Sequence, residues 1–576
     1  THHPIEGAQM TTRKIALTTL AAVTSLALTL AMSPAADASP RGASPAHRSA
    51  ISRVQTASYI VQAQSLAAAR TSVQKVGGTI THELGIIDAV AAQLAPEQAR
   101  ALEARGELTV SADRDAALMG IADPGPPSEY VLQTGATQLH TQGITGLGVT
   151  VAIVDTGTAN KQYINKDSSG NFRLKAQYDA IANTTSIPSS STPVVVSDGN
   201  GHGTHVQSII SSRRMDVNGR YNGMAPNANV VSVKAFGTNG QGSYANLIRG
   251  LDWVLANRST YNIRVLNLSL GATPQSNYWN DPLNKAVMQL WQAGVVVVTS
   301  AGNWGPNAQS ITVPGNSPYV ITVGAMTDNY TPTDPSDDRL TSFSGAGPTH
   351  DGFVKPEVVA PGGHIVGIMS ATMKIPMDHP EFAFSYSGVK EYFSMSGTSQ
   401  AAAVTTGAVA LMLQAQPSLT PDQVKCKLMS SARPALDGAG KLAYTVFQQG
   451  AGQINAYDAV YNQNLNCANV GLDIAADLAG TTHFGGAARQ KADGTFYVVD
   501  QNGQEFGSQG YLWNNGYLWN QGYLWSNGYL WNNEYLWNNG YLWNNGYLWN
   551  NGYLWNASFV PSTTSFSGIN HWVGQE

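Results

Sequence analysis

The sequence predicts an α/β fold: a doubly wound, mostly parallel sheet, preceded by a small α+β domain and followed by a tail of aromatic hexapeptide repeats. Three observations predict it. Between about Tyr130 and Tyr461, short apolar runs rich in β-branched residues alternate with longer helix-like stretches. Continuous apolar runs of this kind suit strands buried on both faces of a parallel sheet. Ahead of them, residues 58–112 read in the order β-α-β-β-α-β; behind them, Tyr-Leu-Trp recurs every six residues from Tyr511 to Tyr553.

Met10 opens a segment with Arg13 and Lys14, followed by an apolar run over 15–32 and then Ala36-Asp37-Ala38. This is the layout of an export signal over 10–38, with an uncleaved anchor as the alternative. Residues 1–9 are an extension the pattern does not explain. Residues 39–127 read as a Ser, Pro, Ala and Arg-rich spacer (39–52) and then the small domain. There, 59–62 predicts a strand, 66–76 a helix ended by Gly77-Gly78, and 79–84 and 86–94 two strands. Pro96 opens a second helix, and 107–111 closes with a strand. Asp123-Pro-Gly-Pro-Pro127 marks a boundary. In the large domain, 128–462, strands are predicted at 149–154, 228–233, 265–268 and 295–299, and helices at 246–256, 282–293 and 400–414. Residues 463–509 read as a linker or small accessory region, 510–556 as the repeats and 557–576 as a tail.

The chain has 576 residues, too many for one core; 43% are hydrophobic, 12% are charged, and the net charge is −5. With no long basic run, a nucleic-acid partner has no support. The low charge and the Gly, Ser, Thr, Asn and Gln content suit an extracellular protein. Cys426 and Cys467, the two cysteines, are too few for a disulfide scaffold, and sequence leaves one bridge and two thiols equally open.

Three segments carry chemistry. In Ala152-Ile-Val-Asp155-Thr-Gly157 a strand ends on a carboxylate, at the edge of the sheet where α/β sites form; alone, Asp155 reads as a turn former. In Gly201-His202-Gly-Thr-His205-Val206, His202 alone reads as a satisfied structural histidine. Paired with His205 it reads as a metal ligand, although no adjacent Glu supports that. In Met395-Ser-Gly-Thr-Ser399-Gln-Ala401 a small-residue turn leads into an Ala-rich helix. Ser399 is then either an N-cap or a nucleophile whose developing oxyanion meets free backbone N–H groups and the positive helix end.

Together these segments resemble the subtilisin-like serine proteases (subtilases, peptidase family S8). The chain order Asp155, His202, Ser399 is that family's order. Ser269-Leu270-Gly271 resembles its substrate-pairing strand, and Ala301-Gly302-Asn303 resembles the segment carrying its oxyanion-hole asparagine. Lys355-Pro-Glu357 through Ala360-Pro-Gly362 resembles a stretch before the nucleophile, with Glu357 where the family more often has Asp. Gly450 through Ala459 resembles the end of the catalytic domain. The resemblance covers about 128–462. It implies a serine endopeptidase with an acyl-enzyme on Ser399, His202 as general base, Asp155 as its orienting carboxylate, and Asn303 with the Ser399 N–H as oxyanion donors. Gly240 and Gly242, with Ser269, Leu270, Gly271, Ala301 and Gly302, imply backbone pairing with an extended peptide and broad cleavage.

The family's chemistry needs no cofactor. A structural calcium stays open, because Asp216 and Asn218 fall where many subtilases hold one, at a spacing that fits poorly. Gln400-Ala-Ala-Ala403 replaces the usual Met-Ala-x-Pro, which implies altered rigidity and not lost chemistry. The small domain resembles the subtilase propeptide, an intramolecular inhibitor. Its tail near 108–118 is expected in the substrate cleft, with a cut between about Ala112 and Pro127. The implied partners are protein or peptide substrates and the chain's own propeptide, and the implied location is extracellular.

Apart from Glu534 the repeats hold no group that titrates near neutral pH. They read as a packed aromatic stripe, a surface for carbohydrate or cell envelope, or an unfolded tract. A second reading of the whole chain is a surface- or carbohydrate-binding protein on an inactive subtilase-like scaffold; the intact triad and Asn303 argue against it. An esterase or lipase predicts a G-x-S-x-G elbow, which the sequence around Ser399 lacks.

Overall fold

The computed structural model describes residues 56–113, 115–118, 121–122, 130–189, 191–216, 219–386, 389–438, 440–499 and 503–506. The expected export signal, the spacer, the 123–127 boundary and the Tyr-Leu-Trp repeats lie outside these residues.

The small domain runs β1 (Ala57–Gln62), α1 (Leu66–Lys75), β2 (Thr79–Leu84), β3 (Ala89–Leu94), α2 (Pro96–Glu103) and β4 (Thr109–Ala112). Its sheet has the order β2-β3-β1-β4, with β1 antiparallel to β3 and β4. Ser65 caps α1 by accepting the Ala68 N–H. Val61, Val73, Val90, Leu94 and Leu102 form the domain's own core. The run read as one strand over 86–94 divides. Gly85–Ile87 makes a 3-10 turn, Asp88 turns left-handed at φ 50°, and the strand starts at Ala89. Ile86 and Ile87 join the core of the large domain instead, so their apolarity serves docking and not a strand. Two short strands follow, β5 (Asp115–Leu118) and β6 (Ile121–Ala122).

The large domain continues with β7 (Thr150–Asp155), β8 (Leu174–Asp179), β9 (Thr184–Ser186), β10 (Asn229–Lys234), β11 (Gln241–Ser243), β12 (Ile263–Leu268), β13 (Leu270–Gly271), β14 (Val296–Ser300), β15 (Ile321–Thr327), β16 (Arg339–Leu340) and β17 (Val358–Pro361). Apart from β11 and β13, these form a nine-stranded sheet in the order β16-β15-β14-β12-β7-β10-β8-β9, with β17 beside β15. Its members run parallel except β9 and β16. Every residue of β7 is buried, which is why it reads as an unbroken apolar run.

Strand order reverses at β7. The chain places β8 and β9 on one side, returns to set β10 beside β7, and then builds outward to β12, β14 and β15 on the other. Such a switch point opens a crevice at the carboxyl ends of the strands. There β7 ends on Asp155, β12 runs into Ser269, and β14 runs into Ala301.

The helices of this domain include α3 (His202–Ser211), α4 (Tyr244–Asn257), α5 (Pro282–Gln292), α6 (Thr398–Ala415) and α7 (Pro421–Ser431). Helix α6 is buried from Thr398 to Leu413. It packs on β12, β14, β15 and α3, and it starts two residues before the predicted position. A smaller sheet holds β18 (Ile365–Ile368), β19 (Ala383–Tyr386) and β20 (Val389–Ser396), with β6 against β20.

Beyond residue 462 come α8 (Ile474–Leu478) and a sheet of β21 (Ala488–Gln490), β22 (Phe496–Val499) and β23 (Glu505–Phe506). Cys467 is disulfide-bonded to Cys426 on α7, with Cα atoms 5.1 Å apart. Buried Asp477 accepts hydrogen bonds from the Tyr278 and Tyr319 hydroxyls and from His483 Nδ1. These contacts pack the segment onto the large domain. Among the described residues no helix is long and apolar enough to cross a membrane.

Candidate active site

Asp155 is fully buried at the end of β7. Its Oδ1 accepts the Thr156 N–H at 2.8 Å and the Thr156 hydroxyl at 3.2 Å, which fixes the plane of the carboxylate. His202 opens α3, and its Nδ1 lies 2.8 Å and 2.9 Å from the two Asp155 oxygens. A carboxylate only accepts, so Nδ1 carries the proton and Nε2 is the basic nitrogen of the neutral ring. Asp198 holds the helix start. Its Oδ1 accepts the N–H groups of Asn200 and Gly201, and its Oδ2 accepts the N–H and hydroxyl of Thr204. Gly203 has to be glycine, because a Cβ there would come within 2.4 Å of the Gly157 carbonyl oxygen.

Ser399 is the second residue of α6, and the N-cap position belongs to Gly397. The capping role that Ser399 alone suggests is therefore filled by another residue. Its hydroxyl donates to the Ser269 carbonyl at 3.2 Å, and the Ser269 hydroxyl donates back to the Ser399 carbonyl at 2.9 Å. Asn267 Nδ2 holds Ser269 Oγ at 2.9 Å, and Thr406 holds Asn267 Oδ1 at 2.8 Å. Asn303 follows β14. Its Oδ1 accepts both the Thr398 N–H at 3.0 Å and the Thr398 hydroxyl at 2.7 Å, which turns the Nδ2 end away from Thr398.

The structure thus brings Asp155 to His202, and Ser399 and Asn303 to the first turn of α6. Thr156, Asp198 and Thr398 position these groups and were missed in the sequence. The available signal was a short polar residue beside a glycine at a strand end or helix start.

Strands β11 and β13 stand apart from the main sheet, and both pair antiparallel with β5. Gln241, Gly242 and Ser243 face Ala117, Ala116 and Asp115, while Leu270 and Gly271 face Leu118 and Ala117. Leu270, Gly271 and Gly242 therefore flank an extended segment of this same chain. A Cβ on Gly242 would come within 2.7 Å of the Ala235 carbonyl oxygen. Gly240 makes the turn into β11 and Ser269 adjoins β13. Ala301 and Gly302 pair with Val323, Thr312 and Gly345 and support Asn303 from behind.

His205 does not share a ligand site with His202. Its ring is fully buried, Nε2 donates to the Phe393 carbonyl at 3.1 Å, and Nδ1 lies 3.5 Å from Gln400 Nε2. Burial pushes its pKa down to about 3. Asp216 gives both carboxylate oxygens to Arg220, one to the backbone N–H and one to Nε, so a guanidinium stands where a cation would. Asn218 lies outside the described residues. Among the described residues no group of three or more His, Cys, Asp or Glu side chains is placed to hold a metal. Helix α6 starts at Thr398 without the missing proline. Glu357 lies away from this cleft in a buried bracket. Its Oε1 is 2.6 Å from Lys355 Nζ and 2.8 Å from Lys425 Nζ, and Oε2 accepts the Thr322 N–H at 2.8 Å.

A family model described as the subtilase family (peptidase S8) matches residues 146–454. Serine protease AprX of Bacillus subtilis (strain 168) is 36% identical over 356 residues, 60% of this chain and 72% of that protein. An alkaline protease of Alkalihalobacillus alcalophilus is 31% identical over 372 residues, 65% of this chain and 81% of that one. Among solved structures, fervidolysin from Fervidobacterium pennivorans, a keratinolytic enzyme related to subtilisin, shares the fold with a TM-score of 0.56 at 22% identity. That match covers 72% of this chain and 62% of fervidolysin, less than two thirds of its length. The class defined by the fold and the matched domain is a subtilisin-like α/β serine protease. The chain belongs to the subtilase family, peptidase S8.

Proposed function

We propose that this chain is a secreted serine endopeptidase, made as a self-inhibited precursor, that hydrolyses peptide bonds in proteins through an acyl-enzyme on Ser399. The observation that carries this reading is the buried His202–Asp155 pair, with Nδ1 2.8 Å from Oδ1, at the same sheet edge as the start of α6. His202 Nε2 takes the Ser399 hydroxyl proton as Oγ attacks the substrate carbonyl, then gives it to the leaving amine; water repeats the cycle to free the acid. Asp155 keeps the imidazole in the required tautomer. Asn303 Nδ2 and the Ser399 N–H hold the oxyanion, and each such donor is worth about 10²–10³ in turnover.

The layout proposed with it is an export signal at 10–38, a spacer and inhibitory propeptide at 39–127, the peptidase domain at 128–462, an accessory segment at 463–509 and the repeat tail at 510–556. Carbohydrate or the cell envelope is the proposed contact of that tail. The position of β5 between β11 and β13 supports the inhibitory role, since a substrate strand would need the same backbone partners. Backbone pairing is blind to side chains, which supports broad cleavage.

A fluorophosphonate probe tests the reading: the processed chain takes the label at Ser399, and Ser399→Ala loses both label and peptide hydrolysis. Full hydrolysis by Ser399→Ala would sink it.

A further inference from the structure

We infer that Thr406, buried in α6 about two turns beyond Ser399, is a positioning residue for the nucleophile. Its hydroxyl sets the direction of a hydrogen-bond chain through Asn267 and Ser269 that holds the Ser399 backbone while Oγ attacks. This rests on the endopeptidase reading above and deepens it.

Asn267 and Thr406 stand where the packing calls for apolar side chains. Asn267 is fully buried on β12, between Val298 of β14 and Ile153 of β7, and asparagine is disfavoured in such strands. Thr406 is fully buried on the helix that packs against β12. Its neighbour Thr405 gives its proton to the Ala401 carbonyl one turn back, at 3.0 Å, the usual habit of a helical threonine. Thr406 instead sends its proton across to Asn267 Oδ1 at 2.8 Å. Two polar side chains therefore meet inside the sheet–helix interface, and neither serves its own element.

The direction of each bond follows from the one before it. A hydroxyl has one proton, and a side-chain amide has an accepting end and a donating end. Thr406 donates to Oδ1, so Asn267 presents Nδ2 to Ser269 Oγ, at 2.9 Å. Ser269 Oγ receives that N–H, so its own proton goes to the Ser399 carbonyl, at 2.9 Å. In the resting site a second bond runs the other way, from Ser399 Oγ to the Ser269 carbonyl at 3.2 Å. That second bond is given up when Ser399 passes its proton to His202 and Oγ bonds to the substrate carbonyl carbon. The bond from Ser269 Oγ to the Ser399 carbonyl remains to tie the nucleophile's backbone to the strand edge during attack. Removing the Thr406 hydroxyl removes the group that tells the two ends of the Asn267 amide apart. The amide can then turn over and set Oδ1 on Ser269 Oγ, which draws the Ser269 proton away from the Ser399 carbonyl.

Steady-state kinetics on a peptide amide and the rate of fluorophosphonate labelling, both on the chain expressed in full and left to process, test this. Thr406→Val keeps the shape and drops the proton. Its kcat and labelling rate are expected to fall about tenfold, inside the 10² or so that a 1 Å misplacement costs, with KM nearly unchanged. Thr406→Ser keeps the proton and is expected to match the parent. In a Ser269→Ala background, Thr406→Val is expected to cost no further rate, because the bond it directs is already gone. Thr406→Ala, which cannot crowd the site, gives the same reading if the valine variant does not fold. Unchanged kcat without the hydroxyl, a Thr406→Ser as slow as Thr406→Val, or an equal loss with and without Ser269→Ala would each overturn the inference and leave the endopeptidase reading intact. A loss confined to Tm or to KM would overturn it too. A parent chain that neither labels nor cuts overturns the endopeptidase reading, and the inference with it.

Discussion

Replacing Asp155 with asparagine keeps the side chain's shape and changes what it offers His202. Thr156 directs its backbone N–H at 2.8 Å, and its hydroxyl at 3.2 Å, to Asp155 Oδ1. In Asp155→Asn the amide sets its oxygen on the Thr156 N–H, so its NH₂ takes the Oδ2 position, 2.9 Å from His202 Nδ1, while the retained oxygen is shared with the Thr156 donors. An N–H donor beside Nδ1 favours the tautomer in which Nδ1 accepts, and that tautomer puts the imidazole proton on Nε2, which can no longer take the Ser399 proton. The expected loss in turnover is about 10⁴-fold, equal to about 5.5 kcal/mol of barrier. Because the hydrogen bond is kept in reversed polarity, stability should change far less than activity. The assay is the first-order rate at which the full-length precursor cuts itself, followed on denaturing gels. It is a single turnover and so independent of KM, and Ser399→Ala sets the zero. A loss below about tenfold, which is 1.4 kcal/mol, alongside an inactive Ser399→Ala, would refute tautomer control by Asp155.

Thr398→Val removes the hydroxyl that donates to Asn303 Oδ1 at 2.7 Å. With Asn303 in the oxyanion role proposed for it, kcat should fall about 10–100-fold with KM nearly unchanged; steady-state kinetics showing KM rising and kcat preserved would count against it. The Cys426→Ser/Cys467→Ser double variant, in a Ser399→Ala background, opens a loop closed over a separation of 41 residues. Urea unfolding should show a loss of about 4 kcal/mol, and an unchanged midpoint would show that the bridge does not restrain the unfolded chain. Burial lowers the folded pKa of Lys355 to about 7 from its ordinary 10.5. Between those values the unfolded chain holds the extra proton, so this group adds stability as pH rises through that window. Lys355→Met should therefore gain less Tm than the parent between pH 7 and 10, and parallel Tm curves would contradict the assignment.

The sheet was legible because its strands are buried on both faces, so that β7 and β14 read as uninterrupted apolar runs. Asp155 was legible by standing at the end of such a run. Ser399 was ambiguous until Gly397 proved to hold the cap position. Ile86 and Ile87 misled because an apolar pair carries no label saying which core it enters. Thr398 and Thr156 escaped for a related reason. Their partners lie 95 residues away at Asn303 and 47 residues away at Gly203, and no local pattern encodes a contact of that range. The Cys426–Cys467 bridge likewise depends on a distance between two segments, which spacing alone does not fix.

Ser269 explains how one sheet edge serves both recognition and attack. Its carbonyl receives the Ser399 hydroxyl while its own hydroxyl donates to the Ser399 carbonyl. Asn267 and Thr406 brace that exchange from below. The strand that pairs with β5 and the helix that carries Ser399 are therefore fixed to each other at a single residue, the arrangement the proposed peptide hydrolysis requires. A misplacement of 1 Å can cost about 10² in rate, so this coupling matters more than any side-chain pocket for placing the reacting carbonyl. On the proposed function, positioning by backbone register would admit many sequences in the same geometry. The chain's own β5 lies along this edge, with Leu118 and Ala117 opposite Leu270 and Gly271.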